Sequence, residues 1–285
     1  MAINIPKLTL IDKVVAALRT REHHASVAGA WGSGKSLIAV QTADALAAPL
    51  LVVTPGRMES EAVYDDLSTF LGEDRCALFP AWEVLPTDTM APADDIVAER
   101  MNTLKRMMAA FEDKKRMAVV CPVRALLQYV VEPARLREDT ITLRVGIECD
   151  LHGLLEKLVK MGYVREVMVE QRGEFSLRGG ILDVFPISSE LPYRIEFFGD
   201  AVDSIRRFEP ETQRSIDTAD EVQILPRSEK AMLSETARAK HNLTPLTKYF
   251  PANTLVVVDE PPAVEEAAGA VTVQEIGRAS CRERV

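Results

Sequence analysis

The run Gly29–Ser36, GAWGSGKS, constrains the fold of this chain more than any other feature, because it matches the pattern G-x-x-x-x-G-K-[ST] in full. Glycines let backbone N–H groups curl around phosphate oxygens, and the helix that follows presents its positive end to the same anion. Lys35 is expected to reach the β and γ phosphates of ATP, and the Ser36 hydroxyl to ligate Mg²⁺. The predicted nucleotide-binding residues are Gly29, Gly32, Ser33, Gly34, Lys35 and Ser36.

Apolar periodicity around this loop predicts a strand, helix, strand, helix order. Helices are expected over Leu10–Arg19, Leu37–Leu46, Met58–Leu71 and Asp94–Phe111, and strands over Ala25–Ala28, Leu50–Thr54, Cys76–Phe79 and Met117–Cys121. Such alternation predicts a mostly parallel sheet that is covered on both faces. The predicted fold class is therefore α/β, with a RecA-like P-loop lobe. The acidic pair Asp65 and Asp66 is expected at the surface.

A second module is expected from about Arg135, where short strands separated by turns follow a helix over Leu151–Met161. The predicted strands are Val164–Gln171, Gly180–Phe185, Tyr193–Phe198 and Ala201–Phe208, which suit a small antiparallel sheet. The apolar run Thr254–Val258 then resembles a central strand of the first sheet. We predict a first lobe over 1–134, an inserted α+β domain over 135–217 and a return to the first lobe over 218–274.

Two carboxylates follow this last strand. Asp259 is expected to hold Mg²⁺ together with Ser36, and Glu260 is the candidate catalytic residue that would orient a water. The alternative, in which an acidic pair simply ends a strand in solvent, stays open. Motor ATPases complete such a site with an arginine from a second RecA-like lobe, and no second lobe fits here. The chain alone is therefore expected to bind ATP at most and to hydrolyse it slowly or not at all.

Composition narrows the class of partner. The formal net charge of -9 argues against a broad cationic groove for nucleic acid and favours protein contacts. The four cysteines lack zinc-site spacing and are expected to be reduced. Because no apolar run reaches the roughly 18 residues of a membrane helix, we expect a cytoplasmic protein without membrane contact.

The last residues, Glu275–Val285, change character abruptly, with three arginines and no apolar periodicity. They match a reading frame through a common sequencing adapter, so we expect 275–285 to be an artefact and the natural sequence to continue beyond about Gln274. A genuine basic tail is the alternative.

Two longer stretches carry a family resemblance. Leu78–Arg106 contains LFPAWEVLPTD and then a helix, and it resembles a signature of bacterial transcription-repair coupling factors. Gly173–Asp200, GEFSLRGGILDVFPISSELPYRIEFFGD, continued by Asp203–Arg214, is similar to the module that these factors share with the excinuclease component UvrB. The resemblance covers about residues 10 to 265. Many coupling factors have a degenerate phosphate loop here, whereas GAWGSGKS is intact, so the resemblance leaves open whether the site is functional or vestigial.

The resemblance implies an adaptor for nucleotide-excision repair. Its inserted domain would bind UvrA, the damage-recognition component of the excinuclease, and recruit it to RNA polymerase stalled at DNA lesions. RNA polymerase and duplex DNA would be contacted through regions, including ATP-driven translocase lobes, that lie outside this chain. By position in the motif, Arg178, Arg194 and Phe198 match the residues that contact UvrA.

Strand alternation agrees with such a docking role. Tyr193, Ile195 and Phe197 should point to one side of the sheet, and Arg194, Glu196 and Phe198 to the other. One side can pack on the helix of the module while the other displays a basic residue and an aromatic, which are typical interface anchors. In the competing interpretation Phe198 is core and the arginines form surface ion pairs.

An ATP-dependent repair helicase of the UvrB type is the alternative function. UvrB carries an aromatic-rich tyrosine hairpin, whereas the five tyrosines of this chain are dispersed. That difference favours the coupling factors.

Overall fold

A computed structural model describes residues 6–21, 23–83, 92–227 and 243–282. Residues 84–91, inside the motif Leu78–Arg106, lie outside it, as do the side chains of 272–285, which include the tail Glu275–Val285. The chain forms two compact units. The first unit comprises Met1–Leu85, Thr103–Tyr129 and Pro245–Val285, and the second unit comprises Pro86–Asn102 and Val130–Thr244. The second unit contains the segment 135–217 and continues beyond it.

The described helices are α1 (Leu10–Leu18), α2 (Ser33–Leu46), α3 (Arg57–Leu71), α4 (Asp94–Glu112), α5 (Val123–Leu127), α6 (Pro133–Asp139), α7 (Leu151–Lys160) and α8 (Pro261–Arg282). The described strands are β1 (Leu50–Thr54), β2 (Cys76–Leu78), β3 (Ala118–Pro122), β4 (Tyr129–Val131), β5 (Ile141–Arg144), β6 (Val164–Arg165), β7 (Glu174–Arg178), β8 (Ile181–Val184), β9 (Tyr193–Phe198), β10 (Ala201–Phe208), β11 (Ser215–Thr218), β12 (Glu221–Ile224), β13 (Leu243–Pro245) and β14 (Leu255–Val258).

The first unit is built on a four-stranded parallel sheet in the order β14-β1-β3-β2. Every residue of β1 and of β3 is buried, as expected for β-branched runs that are covered on both faces. Apolar residues of α2 and α3, such as Val40 and Leu67, pack against these strands. The prediction of a parallel α/β sheet is confirmed, whereas the RecA-like class of this unit stays a prediction.

Two expectations for this sheet are wrong. Ala25–Ala28 is irregular rather than a strand, because alanine has low β propensity and Val27, the one β-branched residue of the segment, is 43% exposed and gains little from burial. The run that was expected at the centre, β14, lies at the sheet edge and pairs only with β1 among the described strands. Its residues Val256 and Val258 are 54% and 43% exposed. An apolar run shows that a strand can be buried, but it does not determine the position of that strand.

The second unit is built on a six-stranded sheet in the order β11-β10-β9-β8-β7-β6, antiparallel except for the pair β6 and β7. Helix α7 begins where the Asp150 side chain accepts a hydrogen bond from the His152 N–H, and it buries Leu154 and Leu158 in the core of this unit. The sheet contributes Ile195 and Phe197 to the same core. The predicted small antiparallel sheet is thus confirmed.

One strand of this sheet is shorter than expected. The strand predicted over Val164–Gln171 ends at Arg165. After it, the Val167 carbonyl accepts hydrogen bonds from the side chains of Ser176 and Arg178, at 3.0 and 2.7 Å. The segment therefore bonds to side chains of β7 and does not extend the ladder.

In the part of the chain that the structure describes, no helix combines the length and the apolar character needed to cross a membrane.

Candidate functional site

The phosphate loop has backbone conformations that require its glycines. Gly29 has φ +80° and Gly32 has φ +53°, in the left-handed region that residues with a Cβ rarely adopt. Gly32 directly precedes α2, so the helix begins within the motif, at Ser33. The local sequence thus places the positive end of a 14-residue helix beside the loop.

The donors of this loop are engaged with protein acceptors. The Gly34 N–H donates to the Trp31 carbonyl at 3.1 Å, and the Lys35 N–H donates to the Gly32 carbonyl at 3.2 Å. The hydroxyls of Ser33 and Ser36 donate to the two carboxylate oxygens of Asp66, each at 2.7 Å. These contacts engage four hydrogen-bond donors of the loop. Asp66, on α3, was expected at the surface; it is partly exposed, and its two hydrogen bonds to the loop were not expected.

Lys35 is paired with the carboxylates that follow β14. Its Nζ lies 2.7 Å from Asp259 Oδ1 and 3.5 Å from Glu260 Oε1. The hydrogen bond to Asp259 raises the pKa of the Lys35 ammonium, and burial opposes this shift. Asp259 is 9% exposed, and its N–H donates to the Val53 carbonyl, which aligns it with the end of β1. Glu260 has φ +52°, a strained conformation for a residue with a Cβ.

A cavity of about 550 Å³ lies beside these residues, lined by the loop, β14 and one side of α2. This volume falls within the range of about 300–1,000 Å³ that is usual for small-molecule sites. Thr42 lines the cavity, and its buried hydroxyl has no hydrogen-bond partner among the described residues. The loop and the Lys35 side chain thus border a space that could hold a phosphate-bearing ligand.

The two predicted metal ligands, Ser36 and Asp259, have different partners in the structure. Asp259 contacts Lys35, whereas Ser36 bonds to Asp66. Within the described ranges, no group of three or more His, Cys, Asp or Glu side chains is arranged to hold a metal ion. Magnesium at Ser36 and Asp259 stays a prediction.

A second candidate site lies on the outer face of the six-stranded sheet, the face of β7, β8 and β9 that is opposite the core containing Ile195. Strand register places the predicted interface residues on this one face. Arg178 is paired with Ile181, and Ile181 with Glu196. Asp183 is paired with Arg194 in the next row. The predicted alternation of Arg194, Glu196 and Phe198 is therefore observed.

Phe198 and Arg178 lie at the same end of this outer face. Phe198 is 85% exposed and precedes the tight turn at Gly199, which has φ +62°. Arg178 is also exposed and precedes the turn of Gly179 and Gly180. The observed exposure contradicts the interpretation of Phe198 as core.

Further exposed apolar residues belong to the same region. Ile181, on β8 between β7 and β9, is 39% exposed. Val167, whose carbonyl accepts a hydrogen bond from the Arg178 side chain, is 85% exposed. A phenyl ring, a guanidinium and two aliphatic side chains therefore extend from one end of the sheet. Such a mixture of exposed apolar groups and arginine is typical of protein interfaces.

Arg194 has a different environment. Its Nε and Nη2 donate to the two oxygens of Asp183 at 2.7 and 2.8 Å, and its guanidinium lies 4.6 Å from the ring centroid of Phe208. The side chains are only 19% exposed for Arg194 and 5% for Asp183. The pKa of Arg194 is raised, mainly by the bond to Asp183. The geometry gives Arg194 a bidentate intramolecular partner that sequence reasoning missed.

Comparison with known proteins gives consistent findings. Residues 141–229 match the UvrB interaction domain family. The chain is 34% identical over 234 residues to a transcription-repair-coupling factor of Myxococcus xanthus, covering 81% of this chain and 19% of that protein. It is 32% identical over 218 residues to that of Bacillus subtilis (76% and 18%), and 27% identical over 265 residues to that of Escherichia coli K12 (79% and 23%). The chain thus spans about a fifth of the length of these relatives.

Proposed function

We propose that this chain acts as an adaptor in nucleotide-excision repair. It belongs to the transcription-repair-coupling factors and carries a UvrB interaction domain. In this role the second unit binds UvrA. The complete factor brings UvrA to RNA polymerase stalled at a DNA lesion. Contacts with RNA polymerase and duplex DNA, and ATP-driven translocation, are assigned to regions outside this chain.

One observation carries the docking proposal. The family match at 141–229 contains the outer face on which Phe198 is 85% exposed next to Arg178 and Ile181. An exposed phenyl ring is costly in solvent, and aromatic residues and arginine are frequent energetic anchors of interfaces. Phe198 is therefore proposed to insert into an apolar pocket of UvrA, and Arg178 to bond an acceptor beside it.

Arg194 is proposed to act through its neighbours. Because its guanidinium is held by Asp183 and lies against Phe208, it stiffens the outer face instead of reaching a partner. It is thus a positioning residue for the surface formed by Arg178 and Phe198.

Binding to purified UvrA tests this surface. Truncation of an interface anchor costs about 2 kcal/mol, or roughly 30-fold in Kd, so Phe198→Ala should weaken binding by about this factor and Phe198→Ala with Arg178→Ala by more. Two variants serve as controls. Ile216→Ala removes a 57% exposed side chain from the edge strand β11, and Lys160→Ala removes a charge from α7. Unchanged affinity of the double variant would remove the interface proposal.

We also propose that the first unit binds ATP with magnesium. Support comes from the complete motif, the helix that begins at Ser33 and the adjacent cavity. In this site the residues Gly29 to Ser36 hold the phosphates, and Ser36 and Asp259 hold the metal, which would neutralise phosphate charge. Glu260 is the candidate to orient a water. Hydrolysis by this chain alone is expected to be slow, because the arginine that completes such sites in motor ATPases is assigned to regions outside it.

Calorimetry with Mg-ATP tests the nucleotide site. Lys35→Ala removes the ammonium from the loop and should abolish the heat of binding. Lys13→Ala, an exposed position on α1, is the matched control. Rapid ATP turnover by residues 1–274 would contradict the expected slow hydrolysis.

The UvrB-type helicase alternative receives less support. The relatives described above are transcription-repair-coupling factors, and the second unit is common to both classes by the resemblance of its sequence.

A further inference from the structure

We propose that Asp66 is an internal anion that closes the phosphate loop and competes with a phosphate-bearing ligand for the start of α2. This inference rests on the nucleotide site proposed above and adds a regulatory contact to it. Asp66 lies on α3, 30 residues beyond Ser36 in sequence, outside the phosphate-loop motif.

The geometry of Asp66 is that of a bound anion. Each of its carboxylate oxygens accepts one hydroxyl, from Ser33 and from Ser36, at 2.7 Å. These serines lie three residues apart on α2 and therefore share one face of the helix. Ser33 is the first residue of that helix, where a negative charge is stabilised by the helix dipole. Asp66 thus occupies hydroxyls that the loop would offer to a phosphate or to its metal.

Other contacts engage further hydrogen-bond donors of the loop. The backbone N–H groups of Gly34 and Lys35 bond to carbonyls within the loop, and the Lys35 ammonium bonds to Asp259. A triphosphate must displace these acceptors in order to bind. Of these contacts, the two that Asp66 makes are removed by a single substitution that leaves the motif unchanged.

Asp66 also opposes a nucleotide through its charge. A carboxylate beside the loop repels the phosphates and holds the Ser36 hydroxyl in another bond. Removing that charge should therefore tighten binding, whereas a residue that only positions Ser36 for the metal would give the opposite result. The adjacent Asp65 provides a matched control, because it is exposed on the same helix and its substitution changes the net charge equally.

Calorimetry with Mg-ATP on the whole chain tests the competition. Asp66→Asn is expected to bind about fivefold more tightly than the unmodified protein, the size of effect typical of a charge at a helix start, and Asp65→Asn to bind equally. Equal or weaker binding by Asp66→Asn would overturn the competition, as would the same gain in both variants.

Amide hydrogen exchange of residues 29–36 without nucleotide tests the closure independently. Asp66→Ala removes both acceptors and should accelerate exchange in this segment, whereas Asp65→Ala should not. Unchanged protection in Asp66→Ala overturns the closure. If no variant binds Mg-ATP, the proposed nucleotide site and the competition are both wrong, and the exchange measurement still decides whether Asp66 closes the loop.

Discussion

Replacement of Asp183 by Asn should destabilise the second unit by about 2–3 kcal/mol, because it leaves the guanidinium of Arg194 without a neutralising charge in a largely buried position. Asp183 and Arg194 pair across β8 and β9 through two hydrogen bonds of 2.7 and 2.8 Å. Their side chains are 5% and 19% exposed.

The magnitude follows from this environment. Breaking a fully buried ion pair by removing one partner costs about 3–5 kcal/mol. The expected value lies at or below the lower limit for three reasons. Arg194 retains some solvent contact, Asn retains one carbonyl acceptor, and Arg194 Nη1 keeps its 3.1 Å bond to the Gln213 carbonyl.

The assay must report on the second unit alone. Both tryptophans, Trp31 and Trp82, belong to the first unit, so their emission during urea unfolding serves as an internal control. Hydrogen exchange of peptides from β8 and β9 as a function of urea gives the stability of the second unit. We expect the urea midpoint for exchange in β8 and β9 to fall, while the urea midpoint of the tryptophan emission change stays the same.

A second Arg–Asp pair in the same sheet provides the comparison. Arg207 and Asp217 pair across β10 and β11 with side chains 42% and 41% exposed. Because solvent screens that pair, Asp217→Asn should change stability little. Equal losses in the two variants, or no loss for Asp183→Asn, would refute the reasoning that burial sets the cost.

Further outcomes are expected elsewhere in the chain. Tyr163→Phe should cost about 1–2 kcal/mol, measured by urea unfolding, because the buried hydroxyl donates to the Leu225 carbonyl at 2.8 Å. Gly180→Ala should destabilise the second unit by about 1–2 kcal/mol in the same assay, since an added Cβ would lie 2.9 Å from a backbone oxygen. Burial raises the pKa of the Cys76 and Cys149 thiols, so both should react more slowly with a disulfide reagent than free cysteine at mildly alkaline pH, and faster as pH rises. Thiol titration of a variant with Cys121→Ala and Cys281→Ser, which retains only these two thiols, checks this.

Local sequence patterns predicted helices and strands well where the residues of a single segment determine its structure. The limits predicted for Tyr193–Phe198 and Ala201–Phe208 agree with β9 and β10. Alternation predicted which residues of β9 face the core, since neighbouring side chains of a strand necessarily point to opposite sides. The expectation failed for Ala25–Ala28, where a single β-branched residue, Val27, was not sufficient for a strand.

For the candidate sites too, features within one segment could be predicted, whereas contacts between distant segments could not. The phosphate-loop motif was found from a short segment, and Arg178 and Phe198 were found from the family resemblance of Gly173–Asp200. Asp66 was missed because its contacts join residues 30 and 33 positions apart, and nothing in the local sequence of α3 indicates them. Asp183 was missed for a similar reason, since its partner becomes visible only through the register of β8 and β9.

The sequence by itself determined the glycine conformations of the loop, the parallel and antiparallel character of the two sheets, and the face of β9 on which Arg194 and Phe198 lie. These properties depend on neighbours within a few residues. Only the tertiary structure decided that β14 lies at a sheet edge, that Lys35 pairs with Asp259, and that Asp66 holds two loop hydroxyls. Such contacts arise when packing brings distant segments together, and the free energy that selects them belongs to the folded core as a whole.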